Sequence, residues 1–200
     1  NQDLTGTILS KANLTNANLS GASLNRSHLT EAKLTMANLQ NAILEDADLT
    51  KADLQDAILI ESDLTLVKLK DANLTRANLT KAILFRVDLR NLDLTGVNLS
   101  GVDLSNQDLT GTTLLHANLT GAKLDGVDLR NLDLTGVNLS GVDLSNQDLT
   151  GTILKDAKKI EISVKNPSNS NWPNKALKEL QNLNVTRYDL SGDVQYLATK

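Results

Sequence analysis

Leucine stands at every fifth residue from Leu4 to Leu154, thirty-one times without a break. With that leucine as position i, the residue at i−2 is Ala fourteen times, Val seven times and Leu twice. The other eight are small polar residues or Gln. Position i−1 is usually Asp or Asn, and i+1 is Ser or Thr in nineteen of the thirty-one units. Position i+2 collects Gly, Asn and Asp. A period of five matches neither a helix nor a plain strand. It matches a short extended segment followed by a corner, in which i−2 and i point to one side and i−1 and i+1 to the other. The pattern therefore predicts leucine and its small partner inward, Asp/Asn and Ser/Thr outward, and a turn at i+2, where φ > 0 suits Gly, Asn and Asp. Lys11, Arg26 and Lys51 also stand at corners, so not every corner demands glycine.

Two internal tests set four units to one coil. The segment Val87–Thr112 recurs without change at Val127–Thr152, an offset of 40, which is two coils of twenty. Sorting the i−1 residues by position modulo twenty also puts Asn18, Asn38, Asn78, Asn98, Asn118 and Asn138 in one class with Ile58. Stacked Asn side chains can hydrogen-bond as a ladder. Against this, the string that opens at Asn1 returns at Asn106, an offset of 105 that keeps the five-residue phase but moves one face.

The units Ala12-Asn13-Leu14-Thr15 and Ala47-Asp48-Leu49-Thr50 resemble the pentapeptide repeat family, A-(D/N)-L-x-x, and the resemblance covers about 1–157. It implies an all-β fold: a right-handed quadrilateral parallel β-helix with leucine at the inner centre of each face. The family's common central Phe is absent, and the leucine-rich rows look like those of cyanobacterial members. One unit cannot bury its leucine alone, whereas stacked coils can. Nearly eight coils give a rod of roughly 35–40 Å at ~4.8 Å per layer. Val and Leu replace Ala at 87, 92, 97 and 102 and again at 127, 132, 137 and 142, so those coils are expected to be wider.

The leucine register ends at Lys159, which divides the chain into a solenoid over 1–157 and an extension over 158–200. Ile160, Ile162 and Val164 alternate as a short strand, 166–171 reads as a loop, and Pro173 with Ala176, Leu177, Leu180 and Leu183 predicts a helix near 173–183. Val185 to Leu190 reads as another strand. The extension is expected to cap the open end of the solenoid; the alternative is the start of a further domain. Asn1 begins mid-repeat, so the expectation is a piece of a longer protein or an end that pairs with another copy, an end-to-end homo-oligomer.

Composition narrows the chemistry. Without cysteine there is no disulfide framework, thiolate metal site or cysteine nucleophile. No apolar run is long enough for a membrane-spanning helix. The net charge of −4 argues against direct nucleic-acid binding. The two histidines, His28 facing outward and His116 at a corner, lie more than four coils apart and cannot share a site. The glycines are corner residues, with no phosphate-binding motif between a strand and a helix. No catalytic residue, cofactor or metal is expected. The cytoplasm is the expected compartment, with periplasm or thylakoid lumen as alternatives.

Three features depart from the plain repeat. Asp88, Asp108, Asp128 and Asp148 form an acidic column on one face, and residues 87–157 carry ten acids and four bases against ten and nine in 1–86. The column reads as a solvated polar face; the alternative resembles family members that mimic DNA and occupy type II topoisomerases. Ile58, Ile60, Leu66, Ile83 and Phe85 are outward apolar residues, a candidate protein-partner patch or scattered exposure. Gln107 and Gln147 point inward and are expected to bond to corner backbone or water. Together these point to a non-catalytic protein-interaction scaffold, with a DNA-mimic inhibitor as the alternative.

Overall fold

The computed structural model describes residues 2–144 and 147–158, together with the backbone of three short strands further on. Parallel bridges join residues twenty apart, beginning with Asp3↔Ser23, Ile8↔His28, Asn13↔Lys33 and Asn18↔Asn38. One coil thus takes twenty residues and presents four faces, numbered here first to fourth from those four starting residues. Where a step is closed, the leucine N–H donates to the coil above (Leu24 to the Ile43 carbonyl, 2.7 Å), and the residue before a leucine donates to the coil below (Asp48 to the Ser27 carbonyl, 3.0 Å). The result is a β-helix whose strands are one bridge long.

At each corner the N–H of the next inward residue returns to the leucine carbonyl three residues back, as Ala12 does to Leu9 at 3.0 Å. Every described corner from Gly6 to Asp156 has positive φ, including Lys11 at 62°, Arg26 at 54° and Lys51 at 58°. This is the type II pattern, with the left-handed residue third in the turn. Long side chains occupy these corners in the same conformation as glycine.

The outward Asp and Asn explain themselves locally. Their side-chain oxygen accepts the N–H two residues on, as Asp48 does from Thr50 at 3.0 Å and Asn98 from Ser100 at 3.1 Å. This short loop of bonds pins the strand to its corner. It also takes up most of the Asn class: among the described residues one rung of a ladder forms, Asn118 Nδ2 to Asn98 Oδ1 at 3.2 Å.

Leu24 to Leu59 at the leucine positions, with Ala32 to Ala57 beside them, are completely buried. In this lower half the bridges close on all four faces. In the upper half the fourth face stays closed from Asn78 to Lys158, but elsewhere among the described residues these steps open: Lys68–Asp88, Asp88–Asp108 and Asp108–Asp128 on the second face, Ile83–Asp103 on the first, Asn73–Asp93 and Thr113–Asp133 on the third. In each the inward i−2 residue of the upper coil is large: Val87, Gln107, Val127, Val102, Leu92 and Leu132. Where that residue is Ala, Ser or Thr, the described step is bridged. Bulk between two thin walls forces them apart. It is necessary but not sufficient, since Val67, Val97 and Val137 keep their bridges. The expected widening of these coils therefore takes the form of an opening on chosen faces.

Beyond the solenoid, β1 (Glu161–Val164), β2 (Arg187–Asp189) and β3 (Val194–Leu197) form an antiparallel sheet in the order β1-β3-β2, with Ile162 and Tyr188 both opposite Tyr196. The two strands read from the sequence contain β1 and β2, and β3 adds a third. The helix expected near 173–183 and the loop at 166–171 lie outside the described residues.

Candidate functional site

The repeat fixes where each outward side chain stands, so the site is built from register. Phe85 and Ile83 share the first face, with Ile83 stacked on Asp63 and Asp63 on Ile43. Leu66 is the corner after Asp63 and Thr65, and its N–H donates to the Phe85 carbonyl at 3.0 Å. These three form one group, 50% (Ile83), 60% (Phe85) and 41% (Leu66) exposed. The Arg86 guanidinium lies 5.2 Å from the Phe85 ring centre, a cation–π contact at its rim. Ile58 and half-buried Ile60 stand apart on the fourth face, Ile58 stacked between Asn38 and Asn78. The corner between them and the Phe85 group carries the Glu61–Lys81 pair at 3.9 Å. The register thus groups three of the five apolar candidates and leaves two on the neighbouring face. Ile8, Met36, Ile43 and Ile153 are exposed as well. Clustering along the sequence does not find them, although Ile8, Ile43 and Ile153 occupy outward i−1 positions.

The acidic residues align on the second face but do not form a uniform column. Arg90 Nε and Nη2 fork onto both oxygens of Asp88 at 2.8 and 2.7 Å, and Arg130 does the same to Asp128 at 2.8 and 2.5 Å. These forks, helped by the arginines' own backbone N–H groups, hold both carboxyls down to about 2. Asp108 and Asp148 instead accept from Thr110 and Thr150. The Thr110 hydroxyl and backbone N–H lower the Asp108 carboxyl, with a smaller opposing push from Asp88. Alternate rungs are therefore close to neutral overall.

The inward amides are satisfied at corners: Gln107 Nε2 donates to the Leu84 carbonyl at 3.1 Å and Gln147 Nε2 to that of Leu124 at 2.7 Å. Thr112 and Thr152 do the same through their hydroxyls to Leu89 and Leu129. His28 is on the second face in register with Ile8 and Asp48, whereas His116 is a corner residue four coils on. Among the described residues no group of three or more His, Asp and Glu is placed to hold a metal ion. No helix of the described residues is long and apolar enough to cross a membrane.

Three clefts lie along the second face. The lowest, about 690 Å³, lies between the coils of Lys68 and Asp88. The two above it, about 250 and 330 Å³, have Asp108, Asp128 and Asp143 in their walls.

The family profile for pentapeptide repeats matches residues 3–35, 27–65, 62–101, 98–136 and 128–158. Among solved structures the chain is similar to HetL, a pentapeptide repeat protein involved in heterocyst differentiation regulation from the cyanobacterium Nostoc sp. strain PCC 7120. The two are 33% identical over 84% of this chain and 86% of HetL, with a TM-score of 0.29. It is similar to a pentapeptide repeat protein of the Arabidopsis thaliana thylakoid lumen, 28% identical over 60% of this chain and 66% of that one, with a TM-score of 0.29. It is also similar to QnrB1, a plasmid-mediated fluoroquinolone resistance protein, 17% identical over 90% of this chain and 97% of that one, with a TM-score of 0.30. Among curated proteins, none matches.

Proposed function

The chain belongs to the pentapeptide repeat family, and from that premise we propose that it is a non-catalytic protein-interaction scaffold whose contact surface is the Leu66, Ile83 and Phe85 group. One observation carries the reading. Leu66 stands at a corner with φ of 59° and remains 41% exposed. A left-handed non-glycine residue costs roughly 1–2 kcal/mol, and a leucine that stays 41% exposed recovers only part of its burial energy. Asn or Gly would serve that corner better, and a leucine placed there beside Ile83 and Phe85 favours a use outside the fold. A rigid aromatic flanked by aliphatic residues and an arginine is the composition of an interface anchor. In this reading the coil is right-handed, residues 158–200 cap its end, and Ile58 and Ile60 lie at the rim.

The test is affinity capture from the source lysate with the wild type, Phe85→Ser and Leu66→Asn, with circular dichroism of each. Loss of a specific partner in both variants, with unchanged spectra, supports the surface. A partner retained by both would refute it.

The excess of acids in 87–157 favours a second reading, inhibition of a type II topoisomerase by DNA mimicry. The Arg90 and Arg130 forks weaken it by neutralising Asp88 and Asp128. It requires inhibition of supercoiling that is lost when Asp108 and Asp128 become Asn.

A further inference from the structure

We propose that the cleft between the coils of Lys68 and Asp88 is a binding site for a phosphoryl dianion. The coil above lifts away over a run of consecutive ladder positions, bracketed by intact bonds from Leu66 to Phe85 and from Arg76 to Thr95, both 3.0 Å. Inside this opening the N–H groups of Leu69 and Asp71 have no backbone acceptor among the described residues. Leu69 is 2% exposed, so its N–H is a buried donor facing the cleft. Buried backbone donors are almost always paired, by protein, water or ligand.

The side chains around these donors specify charge. Lys68, Lys70 and Arg86 line the cleft, while Arg90 is engaged by Asp88 and Asp71 is the other acid. The lining carries a net positive charge on a chain that is acidic overall. The two clefts above it along the second face have walls richer in aspartate. Unpaired main-chain N–H groups with ammonium and guanidinium groups make an oxyanion site, and three cations, with Asp48 beside Lys68 and the Phe85 ring beside Arg86, suit a dianion better than a single carboxylate. The volume of about 690 Å³ falls within the usual range of ligand sites. A free phosphate compound and a phosphorylated side chain of a protein share this chemistry.

The experiment is amide NMR of the whole chain, titrated with inorganic phosphate and separately with a short phosphoserine peptide. Saturable shifts centred on the Leu69 and Asp71 amides are expected. Lys68→Gln with Lys70→Gln should weaken phosphate binding at least tenfold, and Arg86→Gln alone should weaken it severalfold. Lys11→Gln, three coils away, should leave it unchanged. Peptide binding tenfold tighter than phosphate assigns the site to a phosphorylated protein; equal or weaker binding assigns it to a free phosphate compound. Absence of saturable shifts in both arms at concentrations on the order of 10 mM would overturn the site. So would shifts that survive in well-dispersed spectra of both the double lysine variant and Arg86→Gln.

Discussion

Arg90 reaches back two residues along its own strand and grips both carboxylate oxygens of Asp88, at 2.8 and 2.7 Å. Arg130 repeats the grip on Asp128 two coils higher. The contact lies within a coil and does not tie one coil to the next. It relieves repulsion along the second face without closing that face's backbone ladder.

The fork has a pH signature. Asp88 is held at about 2 against an ordinary 3.8, first by the Arg90 side chain and then by its N–H. Because the folded value is depressed, the associated stabilisation is present above about 4 and is lost as pH falls toward 2. Carboxyl carbon NMR of Asp88 should give that low midpoint, and Arg90→Gln should move it toward 3.8. An unmoved midpoint would show that the fork is not its cause.

Position within the five-residue unit should decide the sign of a leucine substitution. Leu59 is completely buried, and Leu59→Ala should cost about 2–5 kcal/mol in urea unfolding through lost transfer energy and the cavity left behind. Leu66 is a leucine at a left-handed exposed corner, and Leu66→Asn should leave stability unchanged or raise it by up to about 1 kcal/mol. A loss of comparable size at both positions would contradict the division into inner and corner sites.

Ser27 is an inward i−2 residue, 1% exposed, whose hydroxyl has no hydrogen-bond partner among the described residues. The equivalent Ser62 hydroxyl donates to the Leu59 carbonyl at 2.8 Å. Ser27→Ala should therefore stabilise the solenoid by about 1 kcal/mol, the scale of a buried unsatisfied group. Ser62→Ala should be neutral or destabilising. Equal effects of the two substitutions in urea titrations would remove the distinction.

Gly111 sits at φ 73° with Asn91, one coil below, leaning over it; a Cβ there would lie 2.2 Å from Asn91 Oδ1. Gly111→Ala should lower the melting temperature, and Asn91→Ala in the same chain should recover part of the loss. The part not recovered measures the left-handed backbone alone. If the second change recovers nothing, the crowding term is absent.

The parity argument that places Leu4 and its successors inward needs only the five-residue period and reads the core directly from the chain, whereas the four-sided coil is read from the duplication at an offset of 40 and the Asn class of period twenty. Partners for Gln107 and Gln147 were likewise legible, because an inward amide in so thin an interior lies close to a corner carbonyl. The role of Asp and Asn in pinning their own corners was less so, since the ladder reading competes for the same Asn atoms. The opening of the second face was not legible from any single unit. On this face Val87 stacks on Val67 and the step opens, whereas Val67 stacks on Ala47 and the step stays closed, a difference seen only across twenty residues. The same stacking decides that Leu66 joins Phe85 while Ile58 does not.

That dependence yields the sharpest test of the fold. Leucine amides that donate across closed steps, such as Leu79 to Asn98 at 2.7 Å and Leu99 to Asn118 at 2.7 Å, should exchange slowly with solvent deuterium. Leu69, Leu89 and Leu109 sit in the same inner position and are equally buried, but the steps above them are open. Their amides should exchange faster by orders of magnitude despite occupying the same position within the unit. If bulk at i−2 causes the opening, Val87→Ala should let the coil settle onto Lys68 and slow exchange at Leu69, while Leu109, two coils higher beneath Val127, stays fast. Slow exchange at Leu69 in the wild type would refute the opening. An open step that persists in Val87→Ala would place its cause in the cations and acids of the face, not in the core.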